Sequence, residues 1–213
     1  MMRRFLLTII SVLCLSAFAQ TQHFYTSDQL SSNQITAICQ DRTGYIWVGT
    51  EYGLNKYDGY RFKNYLYDKN NPASINSNNV VSLFVDSKGT LWAGCGAGIC
   101  YYNNANDEFE RLQFPIKRPV RVNDMLQEDE NHLLLGTAGY GLFRIDLNTL
   151  RIDSVHNYAN PDDNDYFSHI LIDEKGNFWK AGSTPVVSIS LNNSRHTIQT
   201  LESPFGTVTD FMN

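Results

Sequence analysis

Five side chains in this sequence could bind a ligand or take part in catalysis. Asp124 and His169 are a carboxylate and an imidazole, which can act together as base and acid or hold a ligand by hydrogen bonds. Tyr52 and Tyr140 could stack on sugar rings, and Glu51 could accept hydrogen bonds from hydroxyl groups. These five are the candidate ligand-binding residues; we expect no catalytic residue, no metal site and no cofactor.

A ten-residue pattern that returns about every 45 residues must position these side chains. Its first copy is Asp41-Arg-Thr-Gly-Tyr-Ile-Trp-Val-Gly-Thr50, and further copies begin at Asp86, Glu128 and Asp173. A period of this size, filled with short strands and glycine turns, is typical of a β-propeller blade. The sequence therefore predicts an all-β propeller with four blades and the start of a fifth.

The blades are predicted at about residues 30–67, 75–113, 119–156 and 164–200, with the fifth begun at 206. An outer strand near His23-Phe-Tyr25 precedes the first repeat. Such a lone strand could complete the last blade of a longer ring, so we interpret residues 20–213 as part of a propeller. A closed ring of four blades is the alternative.

Glycine recurs in the first turn of the pattern. Gly44, Gly89 and Gly176 are expected to supply the positive φ that a tight turn needs. The third copy has Asn131 at the equivalent position, and asparagine tolerates the same backbone conformation. We therefore expect Asn131 to supply the positive φ of the third turn.

Tryptophan recurs in the second strand of the pattern. Trp47, Trp92 and Trp179 are expected to fill the wedge between neighbouring blades, and Leu134 replaces them in the third copy. Sugar stacking is the functional alternative for these rings, but an interior strand favours a core position. The mature chain also contains Cys39, Cys95 and Cys100, which lack metal-ligand spacing and are predicted to be small core residues.

The first 19 residues predict a signal peptide. Arg3 and Arg4 precede a short apolar run, and Ala17-Phe-Ala19 offers a cleavage site. Without those two arginines the chain has 15 basic and 22 acidic side chains, a formal charge of −7. This charge argues against nucleic acid or an anionic membrane surface as partner. We expect an exported, periplasmic chain.

The repeat alignment brings two of the candidate residues together. The four innermost strands carry Ala37, Ser82, Asp124 and His169 at one shared position of successive blades. Asp124 and His169 would then be neighbours near the central channel. A structural polar pair is the favoured interpretation, and a ligand-binding or catalytic pair is the alternative. The other three candidates lie in loops on the face where propeller ligands usually bind.

Several segments resemble the two-component regulator propeller repeat. They are Leu30-Ser-Ser-Asn-Gln-Ile35, the Asp41–Thr50 pattern, Gly53-Leu-Asn-Lys-Tyr-Asp-Gly59, and Asn71-Pro-Ala-Ser-Ile-Asn-Ser-Asn78. The third repeat departs from the family by lacking its Trp and its turn Gly, and the fourth lacks the second Gly-Leu turn. The resemblance covers about residues 24–198.

The resemblance implies a function. Such propellers form the periplasmic sensor region of hybrid two-component histidine kinases of Bacteroidetes, in which seven-bladed propellers precede a membrane helix and a kinase. It implies an oligosaccharide ligand, control of glycan-utilisation genes, and a homodimer anchored in the inner membrane by downstream segments. Since no kinase or receiver motif occurs here, we expect this chain not to be an enzyme. The alternatives are a secreted propeller lyase or hydrolase, and a scaffold without a small ligand.

Overall fold

The computed structural model describes residues 23–24, 29–156, 166–174, 176–182, 186–190 and 198–201. The predicted signal peptide and the predicted fifth blade lie outside these residues. No helix long and apolar enough to cross a membrane occurs within the described part.

The strands form four sheets of four strands each. Blade 1 contains β1 (Ile35–Gln40), β2 (Ile46–Thr50), β3 (Gly53–Tyr57) and β4 (Phe62–Tyr65). Blade 2 contains β5 (Val80–Val85), β6 (Leu91–Cys95), β7 (Gly98–Asn103) and β8 (Glu108–Leu112). Blade 3 contains β9 (Val122–Gln127), β10 (His132–Thr137), β11 (Leu142–Asp146) and β12 (Arg151–His156). Blade 4 contains β13 (Phe167–Ile172), β14 (Asn177–Gly182), β15 (Val186–Ser190) and β16 (Ile198–Leu201).

Each sheet is an antiparallel meander in sequence order, and neighbouring blades stack along their innermost strands. Strand β5 contacts both β1 and β9, and β9 also contacts β13. The prediction of an all-β propeller is confirmed. Two faces follow from the meander. The upper face holds the turns between second and third strands together with the between-blade loops, and the lower face holds the remaining turns.

In blades 1, 2 and 3 the large apolar side chain of the second strand packs into the following blade. Trp47 belongs to the core cluster that includes Tyr102 and Phe109 of blade 2, and its ring centroid lies 4.8 Å from that of Tyr102. Trp92 packs with residues of blade 3, and Leu134 packs with residues of blade 4. Burial of these side chains removes apolar surface that no single blade could cover alone.

A hydrogen bond inside each repeat holds the tryptophan. The indole Nε1 of Trp47 donates to Asp41 Oδ2 at 2.8 Å. The same bond joins Trp92 to Asp86 and Trp179 to Asp173, each at 2.9 Å. The first residue of the pattern therefore satisfies the single polar group of its wedge-filling ring.

Blade 3 replaces this bond with an ion pair. Glu128 occupies the position of the aspartate, and its Oε2 lies 2.6 Å from Nε of Arg144 on β11. The expectation that Asn131 has a positive φ was wrong. Among the residues that the structure describes, the non-glycine residues with a positive φ are Gln29, Asp107 and Leu150. Its turn is stabilised differently, because the backbone N–H of Asn131 donates to Asp129 Oδ1 at 2.7 Å.

Candidate functional site

Asp124 and His169 lie side by side at the inner edge of blades 3 and 4. They pair with Gly136 and Ala181 on the second strands, as Ser82 of blade 2 pairs with Gly94. The His169 Nδ1 atom lies 3.7 Å from Asp124 Oδ2. The structure thus brings these two sequence-predicted site residues together.

The carboxylate of Asp124 also connects the two blades. Its Oδ2 accepts a hydrogen bond from the backbone N–H of Ile170 at 2.9 Å, and its Oδ1 accepts one from Met125 N–H at 2.9 Å. Burial raises the pKa of Asp124, although these bonds and His169 act in the opposite direction. His169 itself remains 60% exposed, so its ring can reach solvent or a ligand.

The other three predicted residues lie apart on the upper face. Glu51 and Tyr52 form the β2–β3 turn, where Tyr52 is 60% exposed. Tyr140 lies in the β10–β11 turn and is half-buried, because its ring packs against the core between blades 2 and 3. Within the described part of the chain, no hydrogen bond, ion pair or ring contact joins these three residues.

Arg111, a residue that the sequence analysis did not single out, stabilises a loop of the upper face. Its Nε donates to the carbonyl oxygen of Ser74 at 2.7 Å, and its Nη2 donates to that of Asn71 at 3.0 Å. Its guanidinium also lies 5.1 Å from the ring centroid of Tyr67. One side chain of β8 therefore shapes the loop between blades 1 and 2, and charge-assisted bonds of this kind are strong.

A cleft of about 390 Å³ opens on the lower face beside blade 2. The β1–β2 turn, the β5–β6 turn and strands β7 and β8 surround it. Its lining includes Thr43, Lys88, Thr90, Tyr101, Asn104 and Glu110. None of these residues belongs to the predicted site, because the sequence directed attention to the opposite face.

The cleft exists because two strands of blade 2 part early. The β6–β7 ladder ends at the pair Trp92 and Tyr101. The equivalent ladder of blade 3 continues from Leu134 and Arg144 to His132 and Asp146. Beyond Trp92, the strand β7 instead follows β8 as far as the pair Asn103 and Glu108. The β7–β8 hairpin therefore diverges from the β5–β6 turn and leaves an open space.

An ionic latch on blade 1 holds the hairpin in this position. Asp107 has φ of 58° in the hairpin turn and accepts a hydrogen bond from Lys63 of β4. It also accepts bonds from the hydroxyl groups of Tyr65 and Tyr102. Burial alone would raise the pKa of Asp107, but these hydrogen bonds outweigh it and lower the pKa to about 2. The carboxylate is therefore ionised at neutral pH.

Comparison with known proteins identifies the repeats. The two-component regulator propeller family matches residues 29–52, which contain β1 and β2, and residues 74–97, which contain β5 and β6. These two segments, one in blade 1 and one in blade 2, are similar to the two-component regulator propeller repeat. A histidine kinase P4 of Formosa agariphila is 40% identical to this chain over 78 residues, which are 34% of the chain and 6% of that kinase.

Solved structures share the fold. The extracellular domain of a putative hybrid two-component system of B. thetaiotaomicron superposes with a TM-score of 0.70 and 18% identity, over 83% of this chain and 23% of that one. Catalytically inactive virginiamycin B lyase of Staphylococcus aureus, with quinupristin, superposes with a TM-score of 0.64 and 13% identity, over 87% and 60%. The chain thus spans about a quarter of that extracellular domain.

Proposed function

We propose that this propeller is part of the exported sensor region of a hybrid two-component signalling protein. The observation that carries the proposal is the stacking of blades 1 and 2, both of which contain a segment similar to the regulator propeller repeat, through Trp47 and the β1–β5 contact. The match to a histidine kinase supports the same role. The predicted signal peptide would deliver the propeller to the periplasm, where it meets molecules that arrive from outside.

The ligand of this sensor is an oligosaccharide. The described surface offers the groups that bind sugars, namely exposed tyrosine rings, amides and carboxylates. The chain carries an overall formal charge of −5, which disfavours polyanionic ligands at long range. A neutral or weakly charged glycan fragment fits both properties. Binding would bias the arrangement of two propeller copies and so control the output of downstream domains.

Binding of defined oligosaccharides by the full chain tests this function. We expect saturable binding on a glycan array, reproduced by titration calorimetry, with the bound sugar recovered unchanged by mass spectrometry. A chain that folds cooperatively but binds no oligosaccharide of the array would contradict the proposed ligand.

A propeller lyase or hydrolase is the second candidate. The observation that favours it is the Asp124–His169 pair, in which an exposed imidazole stands 3.7 Å from a carboxylate at the inner edge of two blades. An enzyme of this kind would convert its substrate, with or without an added divalent metal. Product formation that is abolished in His169→Ala would support it, whereas binding without conversion would support the sensor.

A further inference from the structure

We propose that the lower-face cleft of blade 2 is the sugar-binding site of this propeller, and that it takes a neutral mono- or disaccharide unit. This inference rests on the proposed function, because it names the place where the oligosaccharide binds. It differs from the upper-face site that the sequence predicted around Glu51, Tyr52 and Tyr140.

The size of the cleft suits a sugar ring. Its volume of about 390 Å³ lies within the range of about 300–1,000 Å³ that is usual for small-molecule pockets. Two blades contribute to it, since Asp41, Arg42 and Thr43 come from blade 1 and the remaining lining comes from blade 2. A ligand there would contact a junction between repeats rather than one repeat alone.

The lining is balanced in charge and rich in uncharged hydrogen-bonding groups. Two carboxylates, Asp41 and Glu110, face two basic side chains, Arg42 and Lys88. The uncharged groups are the side chains of Thr43, Thr90, Tyr101, Asn103 and Asn104. Hydroxyl and amide groups can both donate and accept, as the hydroxyl groups of a sugar require. This composition favours a neutral polyhydroxylated ligand over an ion.

The polar groups of the cleft are already oriented by hydrogen bonds. Glu110 accepts bonds from the Tyr101 hydroxyl and from Asn103 Nδ2, the latter at 2.7 Å. These two bonds lower the pKa of Glu110, so that its carboxylate is an ionised acceptor. Lys88 donates to Asn148 of blade 3 at 3.2 Å. Preorganisation of this kind reduces the entropy that a ligand loses on binding.

The space between the two turns is closed in blade 3 and open in blade 2. In blade 3 the carbonyl of Asn131 accepts a hydrogen bond from Leu147 N–H at 2.7 Å, which closes the same space between the two turns. In blade 2 the Asp107 latch draws the hairpin toward blade 1 instead. The β6–β7 ladder of blade 2 therefore stops at Trp92 and Tyr101, and the cleft lies beyond this pair.

A substitution that fills the cleft tests the proposal. Asn104 is exposed and lines the cleft, so Asn104→Trp would occupy its volume without removing a described hydrogen bond. Asn106→Trp in the same exposed turn is the matched control, because Asn106 does not line the cleft. Tyr52→Ala probes the upper face. All variants are compared with the unmodified chain on an array of short neutral and acidic oligosaccharides, after thermal melts have shown equal folding.

The possible outcomes distinguish a wrong binding site from a wrong ligand. We expect Asn104→Trp to weaken sugar binding by at least about tenfold, with Asn106→Trp and Tyr52→Ala unchanged. Binding that survives Asn104→Trp, or that is lost in Tyr52→Ala alone, would overturn the cleft and leave the sensor function standing. An unmodified chain that binds no sugar of the array would overturn the proposed ligand and the cleft together.

Discussion

The seam between blades 1 and 2 and the seam between blades 3 and 4 use different chemistry in the same architecture. The first is aromatic, with Trp47, Tyr65, Tyr102 and Phe109 in mutual ring contact and Lys56 seated 4.1 Å from the Tyr45 centroid. The second is built around the smaller Leu134, with Phe167, Ile170 and Phe178. The comparison teaches that blade packing depends on filling the wedge between blades with a large apolar side chain. When that side chain changes from Trp47 to Leu134, the acidic residue of the repeat takes another partner, since Asp41 binds the indole and Glu128 binds Arg144.

The largest difference should appear when the wedge residue is removed from each seam. Trp47→Ala should lower the free energy of unfolding by about 4 kcal/mol, because it leaves a large cavity and deprives Asp41 of its indole donor. Leu134→Ala should cost about 3 kcal/mol, since it removes fewer buried atoms. Urea unfolding of both variants provides the measurement, with Trp47→Phe isolating the lost hydrogen bond at about 1 kcal/mol. An equal or larger loss for Leu134→Ala would contradict the comparison.

The ion pair of blade 3 should be the next largest effect. Arg144→Met leaves the carboxylate of Glu128, whose side chain is only 17% exposed, without its cation. We expect a loss of about 2 kcal/mol in the free energy of unfolding, because a poorly solvated charge is left unpaired. The double variant Glu128→Gln/Arg144→Met should recover part of this loss, since the uncompensated charge is gone. Urea unfolding that shows additive losses would argue against a coupled pair.

The Asp107 latch should make the first seam sensitive to acid. The folded-state pKa of Asp107 is about 2, below its usual value of 3.8, so ionised Asp107 stabilises the folded chain. This contribution is fully present above about pH 4 and is lost as the pH falls from about 4 towards 2. Asp107→Asn should reduce the acid-induced fall in Tm across that interval, and it keeps a residue type that tolerates positive φ.

The control for the latch is Asp153→Asn. Asp153 pairs with Arg151 on an exposed edge, where both side chains are more than half accessible. Its removal should leave the Tm profile between pH 2 and pH 4 close to that of the unmodified chain, because exposed ion pairs contribute little. Identical profiles for Asp107→Asn and the unmodified chain would show that the latch does not stabilise the first seam.

The smallest effect is expected at His169. Its imidazole is 60% exposed, and the link between blades 3 and 4 runs through Asp124 and the backbone of Ile170 instead. His169→Leu should therefore change the free energy of unfolding by less than about 0.5 kcal/mol. Thermal melts check the stability, and sugar titration of the same variant checks the function. A large loss of stability would mean that the imidazole of His169, and not only the carboxylate of Asp124, stabilises the contact between blades 3 and 4.

The repeat made the fold predictable, whereas single residues of the site were less so. The aspartate and the tryptophan lie six positions apart in three copies, as in Asp41 and Trp47, so the sequence showed their constant spacing, but the hydrogen bond between them was found only in the structure. The joint change to Glu128 and Leu134 was visible too. Arg144 was not, because only the pairing of β11 with β10 brings its side chain to Glu128.

The cleft could not be predicted from the repeat, because it arises where a repeat departs from its own pattern. The β6–β7 ladder stops at Trp92 although the sequence of blade 2 closely follows that of blade 1. What separates the strands is the contact of Asp107 with Lys63 and Tyr65, residues more than forty positions away. An alignment of the repeats shows only what they share, so it does not reveal a contact made by one repeat alone. The sequence analysis therefore placed the ligand at the upper-face loops, where propeller ligands usually bind.

The bond between the first residue of each pattern and its tryptophan has an evolutionary consequence. Asp86 and Trp92 lie in one repeat, yet the ring fills a space in the following blade. A tandem duplication of about 45 residues therefore copies the tryptophan and the aspartate that accepts its hydrogen bond together. A duplicated third repeat likewise copies Glu128 and Arg144 together, because both residues lie within blade 3. Both kinds of repeat therefore carry their own polar pair and need no compensating mutation elsewhere.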